Sequence, residues 1–560
     1  MRCRIRHLIA MCALAASVRC SQQSASSIPD SSEHPRDGGT LRLAQDAPDR
    51  IDPACVDDAY EASLVNQVFE GLLAFDTHLN TVPGIASSWI ISPDGTVYTF
   101  ELRAGVPFHD SSEVTAEDVV FSLQRVFDLP EEQSGLARAY LGHILGSQEY
   151  AEHHTKKLRG LEIVSPHEVR ITLEHPYSPF LAVLASEMAR IVPKHVVERI
   201  GDEAFAHRPV GSGPFRLTRW VPNQSIVLTA FRAPNAVHAH LDSIVIDTPQ
   251  GNVREYAPRL FLDGKLSAVV VPDGRLRDFQ GNPNWHVVSR QELSLTFLEL
   301  NPHQPPFNDI RVRRAFALAL DRNAILGGDT GVRIPPNGIL PPGMPGYTPE
   351  SKLLPHDAIT AEQLLVAAGH PGGRGLSPVR ITFAMTSTQG RALFEQVHAQ
   401  LAAVGFRIKL QELPWREFRP LLNSHSLQCL NVTWTADIPD PDSFLYPTCA
   451  SDGSGNFVGY SNPAVDSLLL RGRSTRSTIE RLEIYRDAER LILQDATLIP
   501  LFHPLGAIAV QEYVHGFTFS AMGWASMALG NVWFDSAASR LDPLAVKVAA
   551  TPATLEGRIP

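Results

Sequence analysis

Three aspartates crowd into residues 437–442: Asp437, Asp440 and Asp442, interleaved with Pro439 and Pro441. Trp434 stands three residues before the first of them and Trp415 a further nineteen back. The chemistry open to such residues is binding. A carboxylate in a dry cleft balances a buried ammonium, which would be costly to leave unpaired, and flat indole walls accept varied side chains at low entropic cost. On the residues alone a simpler reading is favoured for the aspartates. Asp and Pro alternate in tight turns because Asp bonds its own backbone and Pro presets φ, and either tryptophan serves equally well as core.

No covalent or hydrolytic machinery is legible. The chain has no G-x-S-x-G elbow, no H-E-x-x-H, no Walker glycine loop and no G-x-G-x-x-G after a strand. An exported hydrolase would need a nucleophile and a base, and neither can be located. Adjacent His153 and His154 point to different sides of a helix or strand, which argues for solvated loop residues over a shared metal. The other histidines are scattered, and six cysteines include no C-x-x-C pair, so neither a zinc ribbon nor a redox dithiol is expected. No metal or cofactor is anticipated. Whether Cys429 and Cys449 pair stays open.

The elements that must position these residues alternate between strand and helix. Tyr98, Phe100 and Leu102 alternate with polar neighbours as in a half-buried strand. Thr115 and Asp118 read as a capping box opening a helix with Val119, Val120, Leu123 and Phe127 on one face. Asn308 or Asp309 opens a second, burying Val312, Ala315, Phe316 and Ala319, and a third carries Leu393, Val397, Leu401 and Val404 and stops at Gly405. Apolar strand-like runs at 244–246, 268–271, 296–300, 381–385 and 408–410 interleave with them. The fold class is therefore α/β.

At 560 residues the chain is long enough for several lobes, and 44% apolar against 19% charged residues describes a soluble globular protein. A formal charge of −11 argues against nucleic acid and anionic membrane surfaces as partners. Forty-three prolines argue against coiled coils and helical bundles. The N-terminus reads as an export signal over residues 1–19: Arg2, Arg4, Arg6 and His7 precede an apolar run from Leu8 to Val18 that is too short to span a membrane. Two processing routes fit. Ala15 and Ser17 have the small-residue spacing of ordinary cleavage, whereas Cys20 lies where a bacterial lipoprotein is lipidated, although Arg19 replaces the small residue usual before it. Residues 20–37 read as a flexible tether and 541–560 as a disordered tail.

Specific strings then resemble one family. GGTLRLA, FEGLLAFD at 69–76, PGIASSWIISPDGTVYTFELRAGVPFHD at 83–110, TAEDVVFSLQRV at 115–126, VGSGPFRL at 210–217, PFNDIRVRRAFALALDR at 306–322, LLVAAGHPGG at 364–373 and WTADIPDPDSFLYP at 434–447 follow one another as in the extracytoplasmic solute-binding proteins of peptide and nickel ABC importers. The likeness runs from about residue 38 to 524. It implies a two-lobed, type II periplasmic-binding-protein-like fold with an extra subdomain inserted in the first lobe. Lobe I would comprise 38–73, 201–289 and 498–540, the insert 74–200 and lobe II 290–497. A ligand would lie between lobes that close over it.

The resemblance further implies that Asp437 holds a peptide's α-amino group, that Trp434 and Trp415 line the pocket, and that Asp440 and Asp442 remain turn residues. One departure stands out: residues 421–436 contain no Lys or Arg to meet a ligand carboxylate, and Arg391 is the substitute, with a surface ion pair as the competing role. The expected function is binding, not catalysis. A monomer captures short peptides and hands them to a membrane permease driven by a separate ATPase, in the periplasm or on a lipid anchor at the cell surface. The alternative keeps the fold and binds a nickel chelate, an opine or another amino-bearing solute.

Overall fold

The computed structural model describes residues 34–535 except 252, 273, 327–332, 351–352 and 385–387. The expected signal segment, Cys20 and the C-terminal tail lie outside the described residues.

The first lobe is built on a four-stranded sheet in the order Thr40–Ala44, Ser243–Asp247, Ser225–Ala230, Phe215–Val221. The first pair is parallel and the others antiparallel. Leu41, Leu43, Ile226, Leu228, Ile244 and Ile246 point to one face and are buried there with the helix Ala59–Val68. This is the period-two pattern of a sheet with one covered side. Asp58 caps that helix, accepting from the Tyr60 and Glu61 N–H groups at 2.7 and 2.8 Å.

The insert has its own core under a second antiparallel sheet, ordered Ala86–Ile91, Val97–Leu102, Glu168–Thr172, Leu161–Ser165. Tyr98, Phe100 and Leu102 are buried as their alternation requires. Helix Ala116–Arg125 begins at the expected box, with Asp118 Oδ2 accepting from the Thr115 N–H at 3.0 Å. His109 pins this insert to the first lobe. Its Nε2 donates to the Gly213 carbonyl at 3.0 Å and its Nδ1 accepts from the Gly211 N–H at 3.2 Å. A side chain at Gly211 would meet the Val68 carbonyl at 2.0 Å, so this position has to be glycine.

The second lobe is organised around Ser294–Leu300, Cys429–Thr435, Val379–Ala384 and Ile408–Leu413, covered by helices that include Ile310–Leu318 and Thr388–Ala403. Asp309 supplies the N-cap of the first helix, accepting from the Arg311 N–H at 2.8 Å. Gly405, just past the second, has φ of 105°.

One 14-residue strand, Leu498–Gln511, serves both lobes. Residues 498–502 pair with Ser294–Leu300, and residues 505–511 pair with Trp285–Gln291. The two chain crossings are thus neighbouring strands, and residues 498–503, counted with the first lobe from sequence, continue the second lobe's sheet. Gly506 lies where the ladder changes partner. A Cβ there would meet the Phe519 ring at 2.3 Å and the Glu292 carboxylate at 2.4 Å, so only glycine lets the loop bearing Phe519 close on the crossing. Cys55, Cys429 and Cys449 are buried free thiols.

Candidate functional site

The turn 436–441 follows the strand Cys429–Thr435 and leads into the helix Asp442–Cys449. Ser443, in the helix's first turn, holds it from inside: its hydroxyl accepts from the Asp437 N–H at 2.9 Å and its carbonyl accepts from Trp434 Nε1 at 2.7 Å. Two of the three aspartates are neutralised in place. Asp440 takes two bonds from the Arg481 guanidinium at 2.8 and 2.6 Å. Asp442 is bound by Arg473 Nε at 2.9 and 3.1 Å, by the Tyr485 hydroxyl at 2.9 Å and by the Tyr177 hydroxyl at 3.3 Å. Asp440 lies in the turn as expected, whereas Asp442, expected there too, opens the helix instead.

Asp437 is different. Its Oδ2 accepts from the Tyr140 hydroxyl at 2.8 Å, while its Oδ1 has no partner among the described residues. Among the described residues no cation pairs with it. Burial pushes its carboxyl up to about 7, with the negative charge of Glu187 adding to the rise and the Tyr140 hydrogen bond opposing both.

Glu187 connects this carboxylate to a cavity of about 450 Å³ between the first lobe and the insert, closed at the hinge by Arg290 and Phe519. Its volume falls among those of small-molecule sites, roughly 300–1,000 Å³. Glu70, Glu187 and Arg190 lie together in its wall. Arg190 donates to Asn66 Oδ1 at 2.7 and 3.2 Å, and Arg103 donates to Glu70 Oε1 at 3.2 Å, leaving the buried Glu70 Oε2 without a partner. Burial pushes the Glu70 carboxyl up to about 7, raises that of Glu187 and lowers the pKa of Arg190. Burial thus pushes the carboxyls of Glu70, Glu187 and Asp437 toward the neutral acid although Arg103 and Arg190 lie nearby, and a further cationic group would favour their ionised forms.

The structure brings two of the four sequence-nominated residues together. Trp434 is clamped beside Asp437, its ring so close to Gly455 that a Cβ there would meet it at 2.5 Å. Trp415 begins the helix Trp415–Leu422, is 55% exposed and packs on Phe418 with ring centroids 6.0 Å apart. Four residues on, Arg419 approaches Asp57 of the first lobe at 3.8 Å. Arg391 is exposed and pairs with Glu412 at 2.5 Å. None of the four lines the cavity directly. Sequence reasoning missed Tyr140, Glu187 and Glu70, which look like ordinary helix and strand-end residues until the fold places them. It also missed Arg290, which appeared only as a lobe boundary. Arg290 lines the cavity and donates to the Phe519 and Thr77 carbonyls at 3.2 and 3.4 Å, with no carboxylate partner among the described residues.

A cavity of this size beside the hinge, with a carboxylate next to it that no cation pairs among the described residues, is a candidate solute site. The model of bacterial extracellular solute-binding proteins, family 5 (Middle), matches residues 80–456. The chain belongs to this family. Among relatives of this solute-binding protein, di/tripeptide-binding protein 2 of Pseudomonas aeruginosa is 29% identical, over 85% of this chain and 91% of that one. Heme-binding protein A of Haemophilus influenzae is 28% identical, over 85% and 89%. Among solved structures, the periplasmic binding protein DppA of Helicobacter pylori in complex with the peptide STSA superposes with a TM-score of 0.75 at 27% identity, covering 89% of this solute-binding protein and 98% of that chain. The two-lobed, mixed α/β architecture is shared with it.

Proposed function

We propose that this solute-binding protein captures short peptides between its lobes, holding the α-ammonium at Asp437. The observation that carries this reading is the Asp437 carboxylate, held by the Tyr140 hydroxyl and paired with no cation among the described residues, next to the cavity wall that carries Glu187 and Glu70: a ligand ammonium supplies the missing cation, and Glu187 and Glu70 reinforce it. Trp434 backs the ammonium end. Arg290, which lines the cavity and has only carbonyl partners among the described residues, is the group best placed to meet the peptide's carboxylate, ahead of Arg391 with its partner Glu412. The di/tripeptide-binding relative and the peptide-bound structural neighbour support this substrate class. The protein binds without turnover as a monomer. It delivers its ligand to a permease whose ATPase is another chain, from the periplasm or from a lipid anchor at Cys20.

The test is native mass spectrometry of protein purified without denaturation, followed by mild unfolding. A ladder of released short peptides, together with a raised Tm on adding a di- or tripeptide pool, is the expected result. One discrete non-peptide molecule released from every preparation, with no Tm shift from peptides at millimolar concentration, would overturn it in favour of an amino-bearing chelate or opine.

A further inference from the structure

Asp37 lies 201 and 203 positions before His238 and His240 in sequence and meets them at the edge of the first lobe. Asp37 Oδ1 is 3.0 Å from His238 Nε2 and 2.9 Å from His240 Nδ1, and the three donor atoms all lie within 4.8 Å of one another. Donors around a tetrahedral zinc at 2.0–2.2 Å stand about 3.3 Å apart. The two contacts of Asp37 need a few tenths of an ångström of spreading to reach that separation, and the two histidine donors already lie within 4.8 Å of each other.

The site is built rather than accidental. Ala239 is buried between the two histidines, so its neighbours turn outward on one side of an extended segment, with ring centroids 4.8 Å apart. The backbone is tied on both sides: the Gly38 N–H donates to the His240 carbonyl at 2.7 Å, and the His240 N–H donates to the Gly530 carbonyl at 3.2 Å. Asp37 Oδ2 is held by Arg232 Nη1 at 3.1 Å, and Arg232 is itself shared with Asp242 at 3.1 Å. That leaves Oδ1 as a monodentate donor oriented by a neighbour, the arrangement that tunes metal ligands elsewhere. All three side chains reach solvent, so an ion has an entry path and a free fourth position.

We infer that Asp37, His238 and His240 form a binding site for a divalent transition ion of the zinc class, a site that sequence reading did not anticipate. Two imidazoles and one carboxylate suit such an ion better than calcium or magnesium, which prefer oxygen donors. Both imidazoles bind as neutral ligands, their protons moving to the outward nitrogens. Because His238 also lines the solute cavity, the ion stands at the rim of that cavity and clips residue 37, where the tether expected from sequence ends, to the lobe.

The experiment uses tag-free protein stripped with EDTA and titrated with zinc alone by calorimetry, then with cobalt as a spectroscopic substitute. The wild type is expected to take one equivalent with micromolar affinity and to give the visible bands of a four-coordinate cobalt centre. His238→Asn and His240→Asn should each weaken zinc at least tenfold and abolish those bands while keeping the metal-free Tm. A variant with His153 and His154 both changed to Asn should bind as the wild type does. Should either site variant prove unfolded, Asp37→Asn gives the same readout. Wild-type uptake no tighter than millimolar, or undiminished binding in the folded site variants, would overturn the assignment.

Discussion

Tyr140 and Asp437 are 297 positions apart and 2.8 Å apart: the phenol of the insert donates to the second lobe's carboxylate. It stabilises the ionised form of a group whose burial favours the neutral acid. Asp437 therefore titrates near the working pH, and the phenol keeps it available for a cation. Tyr140→Phe should raise its pKa further. Ligand affinity in the wild type should climb from pH 6 to pH 8 as the carboxyl ionises, and in the variant the climb should begin at higher pH. Calorimetry at three pH values checks it, and superimposable profiles would show that the phenol is dispensable.

Removing the carboxylate strands the ligand's ammonium. Asp437→Ala should weaken peptide binding by about 3–5 kcal/mol, a hundredfold or more. N-acetylating the peptide should cost the wild type a similar amount, and the variant should barely distinguish the two ligands, since both changes delete one interaction. Losses that add would place the ammonium elsewhere.

Arg290 offers the matching experiment at the other end. Amidating the peptide's C-terminus should reduce wild-type affinity several-fold, and Arg290→Gln should erase the preference for the free acid. An amidation penalty that persists in Arg290→Gln and disappears in Arg391→Gln would move the carboxylate to the second lobe's surface.

The lobes also touch through Arg473. Its guanidinium binds Asp442 and lies over the Tyr446 ring at 3.2 Å, while its carbonyl accepts from the insert's Ser178 N–H at 2.8 Å. Arg473→Ala leaves the buried Asp442 short of a cation and should lower unfolding stability in urea by about 3–5 kcal/mol. Replacing the pair with Arg473→Met and Asp442→Leu should recover part of that loss. Equal losses in single and double variants would mean that packing, not charge, is what Arg473 supplies.

His109, half-buried against Gly211 and Gly213, has its pKa lowered to about 4, mainly by loss of water around the ring, from the ordinary 6.5. The unfolded chain binds a proton there before the folded one does. Its stabilising contribution is therefore complete above pH 6.5 and drains away as pH falls toward 4, by at most about 3 kcal/mol. The stability advantage of the wild type over His109→Gln, measured in urea at pH 7.5 and pH 4.5, should shrink at the lower value. A constant difference would show that His109 contributes no pH dependence.

Local pattern carried much of this protein. Alternation at Tyr98, Phe100 and Leu102, the Thr115–Asp118 box, the Asp309 cap and Gly405 are decided by neighbours a few residues away, so they are readable along the chain. Long ordered strings fixed the family and, with it, the two lobes. What no local rule contains is which groups meet across the fold. Asp437, Asp440 and Asp442 look alike in sequence, and only the tertiary structure supplies Arg481 and Arg473 to two of them and leaves the third with a phenol. Glu187 and Glu70 become unusual carboxylates only when burial removes their water. Asp37 becomes a partner for two histidines only because the strand Thr40–Ala44 runs beside Ser243–Asp247. Side-chain type and short-range spacing belong to the chain, whereas desolvation and charge pairing depend on distances through space, which exist only once it has folded.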